Sequence, residues 1–210
     1  MKILKFGGTS VGSAENMRRV MQIVADDEQK MIVLSAMSGT TNSLVEITDH
    51  LSRKQPEEAG KIIAGLENKY QQVIEELFIT FERKQECLKI LEPVFSLLRS
   101  FLSVDCTEKE GKIIIAQGEL LSSQLFYQLM AENGYRVVLL PALNFMRINS
   151  DRAPDAELIR ELLTEQITKY PEDVYYVTQG FICLNSSGDI DNLERGGSDY
   201  TASLLGAALE

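Results

Sequence analysis

A chain of 210 residues, 44% of them hydrophobic, can bury a sizeable core and suits one large or two small domains. Its formal charge of -10, from 21 Lys+Arg against 31 Asp+Glu, argues against nucleic acid or an anionic membrane as partner, because both demand a basic footprint. Anionic small ligands stay open, but their site must concentrate positive potential locally against the overall field. No apolar run approaches the ~20 residues of a membrane span, and Met1-Lys2-Ile3-Leu4-Lys5 leads into a glycine loop rather than a signal-peptide core. The expectation is a cytoplasmic protein. Cys87, Cys106 and Cys183 are odd in number, far apart and without metal-ligand spacing, so they read as reduced thiols. His50, the only histidine, follows Thr48-Asp49 on a polar stretch and reads as a surface residue rather than a general base.

Ile3, Leu4 and Phe6 suit a buried strand, and Met17, Val20, Met21 and Val24 recur at the spacing of one helix face. Between them lies Lys5-Phe6-Gly7-Gly8-Thr9-Ser10-Val11-Gly12-Ser13, with Ser13 placed to cap the helix and Glu15 in its first turn. Gly7 to Gly12 has P-loop spacing, but Ser13 stands where that motif needs lysine, and the run does not read G-x-G-x-x-G. Two readings are left. Either the loop cradles phosphate under Lys5 at the strand end, or it is an ordinary glycine-rich turn beside a solvated lysine.

Met31-Ile32-Val33-Leu34 predicts a second buried strand and completes a β-α-β unit. It runs into the hydroxyl-rich 35–42 segment, which opens a helix carrying Leu44, Ile47 and Leu51. Two polar loops therefore leave adjacent parallel strands at their carboxyl ends, the edge where open α/β sheets bind ligands. From Pro56 to about Leu102 the apolar stripes predict a helical hairpin packed on one side of the sheet, broken or kinked at Pro93. Ile113-Ile114-Ile115 precedes Gln117-Gly118-Glu119, with a helix expected after it through Leu125, Phe126, Leu129 and Met130, ended by Asn133-Gly134. A strand over 135–140, a helix over 154–163 and a strand over 174–177 follow. Phe181-Ile182-Cys183 and the polar 185–189 run then read as a hairpin. Last comes Glu194-Arg195-Gly196-Gly197-Ser198-Asp199-Tyr200-Thr201, opening an apolar helix. Taken alone it is a capped helix start, but Arg195 beside two glycines can grip a carboxylate with two parallel hydrogen bonds.

Together, Lys5-Phe6-Gly7-Gly8-Thr9-Ser10, Val33-Leu34-Ser35-Ala36-Met37, Gly118-Glu119, Thr178-Gln179-Gly180-Phe181-Ile182 and Arg195-Gly196-Gly197-Ser198-Asp199-Tyr200-Thr201 resemble the amino-acid kinase family, and within it the aspartokinases. The resemblance implies an α/β amino-acid kinase fold, a mostly parallel open sheet between helical layers, incomplete at the C-terminus. Residues 1–210 would be the N-terminal, aspartate-binding part of a catalytic domain, with a helical insertion at about 56–110. The ATP-nucleoside portion and the ACT regulatory domains would lie outside it.

The implied reaction is transfer of the ATP γ-phosphoryl group, with Mg²⁺, to the β-carboxylate of L-aspartate. That step opens lysine, threonine and methionine biosynthesis, and the 210 residues alone are expected to be inactive. By the same resemblance Lys5, Phe6, Gly7, Gly8 and Ser35 would face the ATP phosphates, with Lys5 stabilising the transferring group and Asp199 orienting Lys5. Arg195 would bind the α-carboxylate of aspartate and Glu119 its ammonium, while Thr41 and Ser198 help place the carboxylates. No metal ligand is assigned to the chain. L-Aspartate and ATP would be the partners of a protein that is a homo-oligomer at full length.

The sequence departs from the family pattern at Ala116, where serine is frequent, at Cys183, where glycine is usual, and over Asp191-Asn192-Leu193-Glu194, in place of a threonine-rich run ending in glycine. Glu194 would put a negative charge beside the proposed anion clamp. Two alternatives stand beside the aspartokinase reading: a glutamate- or acetylglutamate-type kinase, and a non-catalytic aspartate-binding module.

Overall fold

The computed structural model describes residues 1–26, 28–170, 174–194 and 196–210. Four parallel strands, β1 (Lys2–Phe6), β2 (Lys30–Leu34), β3 (Val137–Leu139) and β4 (Tyr175–Gln179), form a sheet in the order β1-β2-β4-β3. Successive side chains of a strand point to opposite faces, and here both faces are apolar. Ile32, Leu34 and Val177 enter one core, Met31, Val33 and Tyr176 the other.

The first core is covered by α1 (Ala14–Val24), α2 (Thr40–Ser52), α3 (Pro56–Leu77), α4 (Phe81–Ser100) and α5 (Glu108–Glu132). The second is covered by α6 (Ala156–Ile167), α7 (Gly197–Ala208) and the antiparallel hairpin of β5 (Ile182–Leu184) and β6 (Ile190–Asn192). Connection handedness explains this division. The chain steps one way from β1 to β2 through α1 and the opposite way from β3 to β4 through α6. Right-handed crossovers then place the two helices on opposite faces. The three-layer α/β expectation holds.

Local signals account for most boundaries. The Ser13 hydroxyl accepts from the Asn16 N–H at 3.2 Å and starts α1. The α3–α4 hairpin forms as expected, with Tyr70 and Phe95 edge to face at 6.2 Å between ring centroids. Pro93 does not break α4, which runs through it. Buried Leu91, Phe95 and Leu98 tie both halves of the helix to the core, offsetting the lost hydrogen bond.

A second correction concerns α5. Its helix does not wait for Glu119 but begins at Glu108, so Ile113, Ile114, Ile115, Gly118 and Glu119 are all helical. The overlooked signal is the capping box formed by Thr107 and Glu110, in which the Glu110 carboxylate accepts the Thr107 N–H at 2.9 Å. That cap outweighs the strand preference of three consecutive isoleucines.

Gly118 lets α5 lie against the end of β2: a Cβ there would stand 2.8 Å from Ala36 Cβ, 3.3 Å from Leu44 Cδ1 and 3.4 Å from Thr40 Cγ2. Gly118→Ala tests that contact. Helix propensity alone would favour alanine by about 1 kcal/mol, but overpacking against a backbone-anchored methyl costs roughly 1–3 kcal/mol. The expected net result is a loss of about 1 kcal/mol, read as a lower urea midpoint at unchanged slope.

Candidate active site

The carboxyl ends of β1, β2 and β4 open into a cleft of about 370 Å³. Each wall comes from a different stretch of sequence. Lys5 stands near the end of β1 and Gly8 and Thr9 follow it, residues 35–39 follow β2, Thr41 and Asn42 belong to the first turn of α2, Glu119 projects from α5, and Phe181 and residues 196–199 complete the lining.

The two strand-end loops are built on each other. Ser38 N–H donates to the Gly8 carbonyl at 3.0 Å, and a Cβ on Gly8 would stand 2.7 Å from the Ala36 carbonyl oxygen, a contact only glycine permits. The Ser122 hydroxyl donates to the Ser35 carbonyl at 2.7 Å and pins the second loop to α5. Phe181 sits at φ 68, a strained conformation for an aromatic residue, where its N–H donates to Thr201 Oγ1 at 3.0 Å. The Thr201 hydroxyl donates in turn to the Gly197 carbonyl at 2.8 Å, so the end of β4 and the start of α7 are fixed together.

Positive potential gathers here despite the acidic chain. The helices α2 and α7 start at Gly39 and Gly196, neither of which supplies a side-chain cap, so both present free N–H groups and the positive end of a helix dipole at the cleft. Lys5 adds a full charge. Its ammonium pairs with Asp199 Oδ1 at 2.9 Å and lies 3.6 Å from where a Cβ on Gly7 would stand. Lys69 of α3 donates to the Ser38 carbonyl at 2.6 Å beside the start of α2, its pKa lowered by burial.

Glu119 lines the same cleft and is only 4% exposed. Its Oε1 accepts the Ala36 N–H at 3.1 Å, while its Oε2 is sheltered from solvent with no hydrogen-bond partner among the described residues. Burial dominates the balance and raises the carboxyl to about 7, the Ala36 hydrogen bond opposing it. An oxygen of that kind awaits a cationic donor.

The cleft thus brings together Lys5, Gly8, Ser35, Thr41, Glu119, Ser198 and Asp199, with Gly7 under the Lys5 ammonium. Phe6 lies apart: it packs against the first core and borders a shallow hollow with Asn16, Arg19 and Ile23. Arg195 falls outside the described residues. Glu194 borders a separate hollow with Arg152, Pro154 and Tyr200 rather than the cleft. His50 is bonded through Nδ1 to Gln55 Oε1 at 2.7 Å at the far end of α2. Cys87 and Cys183 are buried free thiols pushed up to about 12 by burial, which leaves them protonated.

Sequence reasoning did not single out Met37, Asn42 or Phe181 for the cleft, nor Lys69 beside it. Asn42 was within reach, one residue beyond Thr41. Lys69 was not, because it comes from another helix.

The model of the amino acid kinase family matches residues 1–210. The chain is 32% identical over 211 residues to the lysine-sensitive aspartokinase 3 of Escherichia coli (strain K12), a match covering 99% of this chain and 46% of that protein. It is 31% identical over 212 residues to an aspartokinase of Chlamydia muridarum, covering 99% of this chain and 45% of that protein. The crystal structure of E. coli aspartokinase III in complex with aspartate and ADP aligns with a TM-score of 0.86 at 30% identity, over 100% of this chain and 47% of that one. The chain therefore spans under half the length of these relatives. With one family matched from end to end, and with its strand-end loops, buried carboxylate and lysine–aspartate pair meeting in one cleft, the chain belongs to the amino acid kinase family.

Proposed function

We propose that this chain forms the aspartate- and phosphate-binding part of an aspartokinase, which transfers the ATP γ-phosphoryl group to the β-carboxylate of L-aspartate and yields 4-phospho-L-aspartate. The observation that carries this reading is Glu119 Oε2, buried without a hydrogen-bond partner among the described residues in the same cleft as the Lys5–Asp199 pair. One wall is prepared for an ammonium and the other for anions, which suits an α-amino acid presented to a phosphate donor.

Each described residue then has a task that its surroundings support, while Arg195 takes its role from the sequence motif alone. Glu119 would accept the substrate ammonium. Arg195, Thr41 and Ser198 would take its carboxylates, Ser198 from the first turn of α7 and Thr41 from that of α2. Gly7, Gly8 and Ser35 would bring backbone and hydroxyl groups to the phosphates. Lys5, oriented by Asp199, would offset charge on the transferring group, because phosphoryl transfer needs placement and neutralisation more than a proton shuttle. ATP enters as a substrate with its Mg²⁺. The described residues hold no cluster of three His, Cys, Asp or Glu that could bind a metal.

Within this reading the domain is the N-terminal part of a catalytic unit whose helical insertion is the α3–α4 hairpin. The native protein would be a cytoplasmic homo-oligomer at the entry to lysine, threonine and methionine biosynthesis. Among the described residues no helix is long and apolar enough to cross a membrane.

The direct test is isothermal titration of the chain with L-aspartate, with glutamate and N-acetylglutamate as controls, repeated on Arg195→Ala. Aspartate-selective heat that disappears in the variant is expected; a folded chain that takes up N-acetylglutamate in preference would overturn the aspartate assignment. In the native gene product, Lys5→Ala should lower kcat at least ~10²-fold. Activity within a few-fold of wild type would remove Lys5 from the phosphoryl site. Affinity should also follow the Glu119 carboxyl. Ammonium binding selects the ionised form, so affinity rises as pH passes upward through about 7 and is lost below it. The dissociation constant should be about tenfold weaker at pH 6 than at pH 8, and Glu119→Gln should be weak and flat across that range.

A further inference from the structure

The β5–β6 hairpin carries a buried carboxylate that the proposed chemistry does not use. Asp191, 3% exposed on β6, accepts Lys112 Nζ of α5 at 3.0 Å through Oδ2 and the Asn192 N–H at 2.7 Å through Oδ1. Arg152 Nη2 lies 3.5 Å from Oδ1, and Lys112 also reaches Glu108 at 3.0 Å. A rim pair, Lys109 to Asp189 at 2.6 Å, runs parallel to it and is more exposed. Buried charges persist only when paired and hydrogen-bonded, so the Asp191–Lys112 contact admits little slack.

Each partner leads to a different wall of the cleft. From Lys112, α5 continues for two turns on the same face, about 10 Å, to Glu119. From Asp191 the chain passes through Leu193, whose N–H is held by the Phe181 carbonyl at 2.8 Å, to Ser198 at the start of α7. A helix transmits such a constraint rigidly, and the strand end is fixed by the Phe181–Thr201–Gly197 bonds. The pair therefore joins the wall that would take the ammonium to the wall that would take the carboxylate.

We propose that Asp191, acting through Lys112, is a positioning residue that sets the gap between Glu119 and Ser198 and with it the length of amino acid the cleft accepts. The inference rests on the aspartokinase reading for its substrate. Its geometric content can be read without substrate, because the Ala36 N–H bonded to Glu119 reports how α5 sits on the β2 loop.

The test uses Asp191→Asn in the native gene product, with Lys112→Met as a second variant should the first fail to fold and Lys109→Ala as the rim control. The expected result is an aspartate KM raised about tenfold and a lower aspartate-over-glutamate ratio of kcat/KM, with kcat and the ATP KM within about twofold of wild type. Hydrogen exchange of the Ala36 amide should quicken about tenfold, and Lys109→Ala should change none of these. An aspartate KM within twofold of wild type, or KM values for both substrates rising together as kcat falls, would show a merely structural pair and overturn the inference. If the wild-type protein does not phosphorylate aspartate, the functional reading falls and exchange alone decides: unaltered Ala36 protection in the variants sinks the positioning role.

Discussion

A carboxylate held out of water at the seam between a helix and a strand-end loop is the constraint on which the site depends. Glu119 can stay there because the Ala36 N–H donates to one of its oxygens and because Gly118, the residue before it, lets α5 approach the loop closely. A single backbone hydrogen bond does not satisfy a carboxylate, and the second oxygen has no partner among the described residues. The fold maintains that uncompensated group through the packing of α5, whose buried residues reach both cores. An ammonium ligand would relieve the strain, and its binding would then be linked to a proton.

Opposite this carboxylate, the protein solves a problem set by its composition. A chain with a net charge of -10 repels the anions its cleft is proposed to bind. The remedy is local and partly uncharged. Two helix starts without side-chain caps direct backbone N–H groups inward, where they act as fixed dipoles that need no reorganisation. Lys5 brings a full charge, its ammonium tethered by Asp199. Charges on the outer faces, such as Glu75 with Lys84, pair among themselves and contribute little to the cleft.

Much of this architecture was legible in the residues. The glycine loop after β1, the Ser13 cap, the apolar run of β2 and the α3–α4 stripes are all local patterns, and the structure keeps each of them. The start of α5 was legible too, in Thr107 and Glu110, but the run of isoleucines masked it. Pro93 misled in the other direction, since local rules predict a break that long-range burial overrides. At the site, Lys5, Glu119, Ser198 and Asp199 could be named from motif and chemistry. The motif put Phe6 with the phosphate-facing residues, but the pleat of β1 turns it toward the first core.

The sequence by itself determined the alternation of strands and helices, the glycine-rich turns that follow β1 and precede α7, and the residue types able to bind anions, because those depend on neighbours a few positions apart. Only the tertiary structure decided that Lys5 meets Asp199 across 194 positions, that Lys69 reaches the Ser38 carbonyl, and that Asp191 and Lys112 join the hairpin to α5. It also decided that Glu119 keeps one oxygen without a partner among the described residues. Desolvation and long-range pairing are properties of packed surfaces, and no local pattern encodes which surfaces meet.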